Sequence, residues 1–231
     1  MKHLQLQPRL ALLAQLVPPG ARLADIGTDH GYLPVWLLQQ GRIRSAIAAD
    51  IGAEPLAHAR RTAGEYGAAL DLRLCDGLRG IGPEESDCIV IAGMGGETIQ
   101  QILEDSPWPW QQGCTLLLQP QTKVEQLRRW LARAGYVCRE ERLVWDKGKL
   151  YVVLCLAAGE PFEPTREQLY GGFCLESDPL YGDYLAAQLR RLRRRLEGLQ
   201  KGGAEDDGLP PLIAALEKKK EAWQHEQREG H

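Results

Sequence analysis

The sequence predicts a doubly wound α/β sheet that ends on an antiparallel hairpin and is followed by an α-helical hairpin. Three observations carry this. Over about the first 155 residues, β-like and helical segments alternate. The last two extended segments are joined by a tight turn instead of a helix. After Pro161 the apolar spacing is helical throughout.

The elements follow in order. Leu10, Leu13 and Val17 mark a short amphipathic helix, stopped by Pro18-Pro19-Gly20. Arg22 to Ile26 reads as the first strand. Pro34 stands where a helix starts, and Val35 to Gln40 continue it to Gly41. Ser45 to Ala49 is the second strand, ending at Asp50. Pro55 opens a helix to Tyr66, with Gly67 as its stop. Asp71 to Cys75 is the third strand. Asp87 to Ala92 is the fourth, and its apolar run after Asp87 suits a central parallel strand. A glycine-rich loop and a helix over Glu97 to Glu104 come next. Thr115 to Leu118 is the fifth strand, closed by Gln119-Pro120-Gln121. Val124, Leu127 and Leu131 form the apolar face of the next helix, with Gly135 at its C-cap. Val137 to Trp145 and Leu150 to Ala157 flank Asp146-Lys147-Gly148-Lys149, a hairpin signal. Beyond Pro161, Leu185, Leu189, Leu192, Leu196 and Leu199 follow a coiled-coil seam. Gly202-Gly203 and Asp206-Asp207-Gly208 make a turn. A second helix from about Pro211 to Gln227 carries Leu212, Leu216 and Trp223 on its apolar side. Domains are expected at 1–158 and 159–231.

Composition excludes several classes. Apolar residues make up 44% and charged residues 26%, which suits a folded globular chain. No apolar run approaches the ~18–20 residues needed to cross a bilayer, and Met1 to Gln5 has no continuous apolar core, so neither a membrane span nor a signal peptide is expected. The expected compartment is the cytoplasm. The six cysteines form no Cys-x-x-Cys pair, so reduced, buried thiols are expected and no metal site. The net charge of −3 argues against non-specific nucleic-acid binding. Its distribution is uneven: residues 1–155 hold 17 basic and 17 acidic side chains, residues 156–231 hold 11 and 14, yet Arg190, Arg191, Arg193, Arg194, Arg195 and Lys201 cluster within that tail. One basic stripe on a near-neutral protein suffices to bind a polyanion locally.

The chemistry concentrates in Asp25-Ile26-Gly27-Thr28-Asp29-His30-Gly31, which leaves the first strand and opens the first crossover helix. Small residues there let the backbone approach a ligand. The run is not Gly-x-Gly-x-x-Gly: Asp29 stands where a second glycine would be, and its carboxylate would repel a pyrophosphate. S-adenosylmethionine has no phosphate but carries a sulfonium and an ammonium, which Asp25 and Asp29 stabilise. Asp50, followed by Ile51, ends the second strand and is placed to accept ribose hydroxyls. Asp76-Gly77 follows the third strand and is placed to meet the adenine amino group. Three acids at successive strand ends surround the crevice where doubly wound sheets bind ligands. The alternative is that each merely caps the next helix. Ala92-Gly93-Met94-Gly95-Gly96-Glu97 follows the fourth strand, and its glycines permit close backbone approach. Gly27, Ala92, Gly93 and Gly95 complete the expected cofactor set.

Asp25 to Pro34, read as Asp-Ile-Gly-x-Asp-His-x-Tyr-Leu-Pro, resembles the bacterial tRNA (adenine-22-N1)-methyltransferase family. So do Ile91 to Gly96 and the Gln119-Pro120 step. The resemblance covers essentially the whole chain, including the C-terminal coiled coil over residues 178–228. It implies the class I methyltransferase fold, whose sheet ends on an antiparallel strand. It also implies S-adenosylmethionine as cofactor, tRNA as partner and metal-independent methylation of adenine N1.

For such chemistry the candidate catalytic residues are Asp29, to stabilise positive charge near N6, His30, to hydrogen-bond the base or a phosphate, Tyr32, to stack on the adenine, and Met94 in the glycine-rich segment. Tyr32 as a core residue and His30 as a helix cap are the plainer alternatives. Arg190, Arg191, Arg194 and Arg195 are the candidate RNA contacts, against a plain solvated face; on a helix they spread over more than one side. Rival functions are methylation of another RNA base, a small molecule or a protein, a non-catalytic RNA-binding module, and a nucleotide-dependent oxidoreductase, which Asp29 and the terminal hairpin disfavour. A monomer is expected, with a dimer as the alternative.

Overall fold

The computed structural model describes residues 4–203, 205 and 208–229. Seven strands form one sheet: β1 Ala21–Ile26, β2 Ile43–Asp50, β3 Asp71–Leu74, β4 Cys88–Gly95, β5 Thr115–Thr122, β6 Tyr136–Asp146 and β7 Lys149–Ala158. Their order is β3-β2-β1-β4-β5-β7-β6, with β1 to β5 parallel and the terminal hairpin antiparallel to β5. The chain reverses direction across the sheet between β1 and β4, so a crevice opens outside their carboxyl ends.

Side chains alternate between two faces. Ala24, Ile26, Ile89, Ile91, Leu116 and Leu118 enter one apolar cluster, with helices α4 Gly96–Asp105 and α6 Val124–Arg133. Leu23, Cys88, Val90 and Leu117 enter the other, against α1 Pro8–Leu16 and α2 Tyr32–Gln39. Helix α3 Ala53–Tyr66 links β2 to β3 and ends at Gly67, which adopts φ 67°. A short helix, α5 Trp108–Gln111, precedes β5 and was not expected; four residues around Pro109 give too little periodicity to read.

Two local differences from expectation shape the site. Helix α2 starts at Tyr32, because Gly31 takes a left-handed conformation at its N-cap (φ 65°). Pro34 then lies inside the first turn, where its missing N–H leaves no helical bond unmade. The glycine-rich segment expected as a loop is instead a continuation of β4. Ala92, Met94 and Gly95 still pair with β5, with register shifts on either side of Met94 and Gly93 at φ 81°. The segment is a bulged strand end that re-aims its side chains.

Beyond β7 the chain is not wholly helical. A capped turn of helix, α7 Arg166–Gly171, is followed by turns up to α8 Tyr181–Lys201, and α9 Leu209–Glu229 returns alongside it. Thr165 and Gln168 form a reciprocal capping box on α7. In the seam, Leu185, Leu189 and Leu192 are buried, while Leu196 and Leu199 pack at its edge. Helix α9 starts before Pro211, since both Pro210 and Pro211 fit a first turn. Asp206-Asp207 of the expected turn lie outside the described residues. No helix among the described residues is long and apolar enough to cross a membrane.

Candidate active site

Two cavities meet at the carboxyl edge of β1 and β4, and Gly27 lines both. The smaller, about 250 Å³, is lined by Gly27, Asp50, Ile51, Asp76, Gly77 and Met94 among others. The larger, about 550 Å³, takes in Asp25, Thr28, Asp29, His30, Tyr32 and Gly93.

Backbone geometry fixes the wall between them. Gly27 adopts φ 75°, and both Gly27 and Thr28 donate backbone hydrogen bonds to the Ala49 carbonyl, at 2.8 and 3.0 Å. A Cβ on Gly27 would collide with the terminal methyl of Met94. Gly27 is therefore required for its conformation, whereas the Met94 methyl, the far end of a flexible side chain, can give way. Asp50 accepts a hydrogen bond from the Gly52 N–H at 2.7 Å, which holds its carboxylate at the rim. Ile51 beside it is 73% exposed, an apolar surface offered to the cavity. Asp76 is tied to Arg79 at 3.2 Å.

Asp25 is buried at the base of the larger cleft. Burial pushes its carboxyl up to about 6; the Thr28 hydroxyl pulls against this, and the Asp50 charge adds to it. The Thr28 hydroxyl is itself buried without a hydrogen bond of good geometry to the protein. A buried acid with no basic group among the causes of its shift suits a cationic ligand. The residues thus fit S-adenosylmethionine, which Asp25, Gly27, Asp50, Ile51, Asp76 and Gly77 could hold.

The expected site residues come together unevenly. Asp29, His30 and Tyr32 share the larger cleft with Ala92 and Gly93, while Met94 faces the smaller cavity. Gly95 lines neither: it ends β4 opposite Thr122, and a Cβ there would meet the Thr122 hydroxyl at 3.2 Å.

One residue behind the cleft carries no sequence signal of its own. His58, in the middle of α3, stacks on His30 at 4.7 Å (16° between planes), and His30 stacks on Tyr32 at 5.0 Å (5°). Asp29 bridges both imidazoles, 3.4 Å from His30 Nε2 and 3.7 Å from His58 Nδ1. Three ligand atoms of Asp29, His30 and His58 lie within 4.8 Å of one another. An imidazole lone pair lies in its ring plane, so two near-parallel rings hold theirs side by side instead of aiming them at one ion. The set forms a column of rings ending at Tyr32, which is 37% exposed.

Arg9, on α1, braces the opposite wall. It donates to Asp146 at 2.7 Å and to the buried Gln119 side chain at 3.1 Å, and lies over the Tyr151 ring. Lys147, at the hairpin turn with φ 47°, also reaches the cleft. Of the arginine stripe, Arg191 pairs with Glu125 at 3.3 Å and stacks on Tyr170, and Arg193 pairs with Glu217 on α9. Arg190 borders a separate groove between α8 and α9, and Arg194 is exposed.

Sheet order, terminal hairpin and paired cavities define a class I methyltransferase, and residues 6–154 match the family described as "Methyltransferase domain". The chain is 36% identical, over 190 residues, to the Bacillus subtilis protein named tRNA (adenine(22)-N(1))-methyltransferase, covering 81% of this chain and 78% of the relative. It belongs to that family. The crystal structure of the B. subtilis m1A22 tRNA methyltransferase TrmK superposes with a TM-score of 0.78 at 28% identity, covering 96% of this chain and 99% of that one. Streptococcus pneumoniae Sp1610 in complex with S-adenosyl-L-methionine gives 0.80 at 30% identity, over 92% and 98%. S-adenosylmethionine is the cofactor of this fold, and the chain is a methyltransferase.

Proposed function

We propose that this enzyme methylates N1 of the adenine at position 22 of tRNA, the activity named for its B. subtilis relative. The observation that carries the reading is the pair of cavities meeting at Gly27: the smaller offers Asp50, Ile51 and Asp76 to the adenosine end of the cofactor, and the larger holds Asp25 at its base for the cationic end and stacked His30 and Tyr32 for a base.

When bound, S-adenosylmethionine supplies an electrophilic methyl group. Adenine N1 carries an in-plane lone pair and is unprotonated at neutral pH, so no proton must leave before attack. The methylated base is cationic and later loses a proton from N6. The chain's work is therefore positioning and stabilisation of positive charge. Tyr32 offers its exposed face to the extruded adenine, extending the column it shares with His30 and His58. Asp29, with its side chain 72% exposed and held beside both imidazoles, stabilises charge developing near N6. His30 hydrogen-bonds the base or a flanking phosphate. Met94 stands on the cofactor side of Gly27 and sets the thickness of the wall between the two ligands. Residues 1–158 would form the catalytic unit and 159–231 the helical one, with Arg190, Arg194 and Arg195 toward RNA and Arg191 held against Glu125 and Tyr170 instead. The six cysteines are unpaired, which suits the cytoplasm, though only Cys88 and Cys114 are buried as expected and the other four are half-buried.

Transfer of label from S-adenosylmethionine to unmodified tRNA, followed by nucleoside mass spectrometry, tests this. N1-methyladenosine is expected; label in another nucleoside or in none would refute it. Asp29→Ala should lower turnover about 10–100-fold in the same assay.

A further inference from the structure

A cavity of about 620 Å³ lies where α6, α7 and α8 meet beside α4, and it shares no lining residue with the two cavities of the active site. Four guanidinium groups line it, those of Arg129, Arg133, Arg166 and Arg195, against one carboxylate, Glu125. That carboxylate is already engaged by Arg191 at 3.3 Å. Two of the arginines are braced from behind: Glu163 holds Arg133 at 2.7 and 3.0 Å, and the Gly208 carbonyl accepts from Arg166 at 3.2 Å. A guanidinium carries five N–H donors, so a braced arginine keeps donors for a ligand. Tyr170 supplies an aromatic wall.

Four arginines in one concave site make it cationic on a protein whose net charge is −3. Converging planar forks match the oxygens of a phosphate. The cavity also lies close to the active site along the chain. Helices α4 and α6 both begin at the carboxyl edge of the sheet, and Gln100 and Arg129 lie four and five residues along them, about 6 and 7.5 Å at 1.5 Å per residue. On its other side Arg195 continues into the exposed Arg194 of α8.

We propose that this cavity is a phosphate site that takes a backbone phosphodiester of the tRNA away from the target base, fixing the register in which the base reaches Tyr32. The inference rests on the tRNA reading above. Arg129, Arg133, Arg166 and Arg195 are its candidate donors, each guanidinium having more N–H groups than one partner takes up.

The test is binding of unmodified tRNA by the full-length protein between ~50 and ~200 mM salt, for wild type, for R129A/R195A and for R129K/R195K. The Ala pair is expected to bind about tenfold more weakly, and its log–log salt slope should be shallower by about 0.7–0.9 for each phosphate that is no longer neutralised. The Lys pair keeps most of the slope, and S-adenosylmethionine affinity is unchanged in both, which reports an intact fold. A wild-type slope and affinity in the Ala pair would overturn the proposal. Titration with inorganic phosphate separates the sources: saturable phosphate binding that disappears in the Ala pair, with tRNA slope unchanged, marks a free-phosphate site and also overturns it. Failure of wild type to bind tRNA removes the tRNA reading itself, and this inference with it.

Discussion

Asp25 couples the site to pH. Without cofactor its carboxyl sits near 6 in the folded state, against 3.8 ordinarily. The folded protein therefore holds a proton that the unfolded chain has lost between those values. The contribution to stability is complete below about pH 4 and is lost as pH rises through about 6, by roughly 3 kcal/mol in all. A cationic ligand favours ionised Asp25, so S-adenosylmethionine should bind more tightly as pH rises from about 5 to about 7, releasing a proton near pH 6. Calorimetry in two buffers of different ionisation heat reads that proton, and Asp25→Asn should abolish it. Binding with no proton exchange in wild type would contradict this assignment. His58 belongs to the same scale. Its Nδ1 is buried and makes no hydrogen bond within the described residues, yet its ring carries the column. His58→Ala should raise the KM for tRNA severalfold, and His58→Phe should recover most of it by restoring the ring. Equal KM values for wild type and His58→Ala would refute the supporting role. Asp25, Gly27, Asp29 and His30 were legible because they form one contiguous run. Arg9, which reaches the cleft, and His58, which backs His30, were not, because each comes from a separate element, and a lone His or Arg on an amphipathic helix looks like a surface residue.

At the scale of elements, the joint between the sheet and the terminal helices turns on one buried pair. Arg128 donates to Glu141 at 2.8 Å with both side chains fully buried, and its Nη1 also reaches the Leu169 carbonyl and the Tyr184 hydroxyl at 2.8 and 2.9 Å. Glu141 in turn accepts from the backbone N–H groups of Phe173 and Cys174 at 2.6 and 3.1 Å. α6, β6, α7 and α8 are thus fixed by a single network. Glu141→Ala leaves a buried guanidinium without its counter-charge and should cost about 3–5 kcal/mol, read as a loss in thermal or denaturant stability. Strand and helix order were legible from periodicity. The bulged end of β4 was not, since three glycines in four residues signal a turn equally well, and only pairing with Pro120 and Thr122 makes the segment a strand. The Arg128–Glu141 pair was invisible for a similar reason: thirteen residues apart, each looks like an ordinary charge on its own element.

Across the whole molecule, a continuous apolar cluster runs from Ile89 and Leu116 in the sheet through Leu169 and Tyr184 to Leu212 and Leu216 in α9. Trp223 extends it, standing on Gly182 and edge-on to Tyr181 at 6.3 Å. The unfolding of the full chain should therefore be a single cooperative transition, and removal of residues 159–231 should expose an apolar face and sharply reduce solubility. Two resolved transitions in calorimetry would show that the helical part folds independently. The arginine stripe carries a related lesson. Local sequence offers it little compensating charge, but Glu125 and Glu217, both distant in the chain, satisfy two of its members. Part of the stripe is thus a structural seam.

The most direct test of the central claim uses two transcripts of one tRNA, one with adenine at position 22 and one with guanine there, each incubated with enzyme and labelled S-adenosylmethionine. One methyl group per molecule on the first, identified as N1-methyladenosine, and none on the second is the predicted result. Equal labelling of both, or labelling of neither by an enzyme that binds the cofactor, would contradict it.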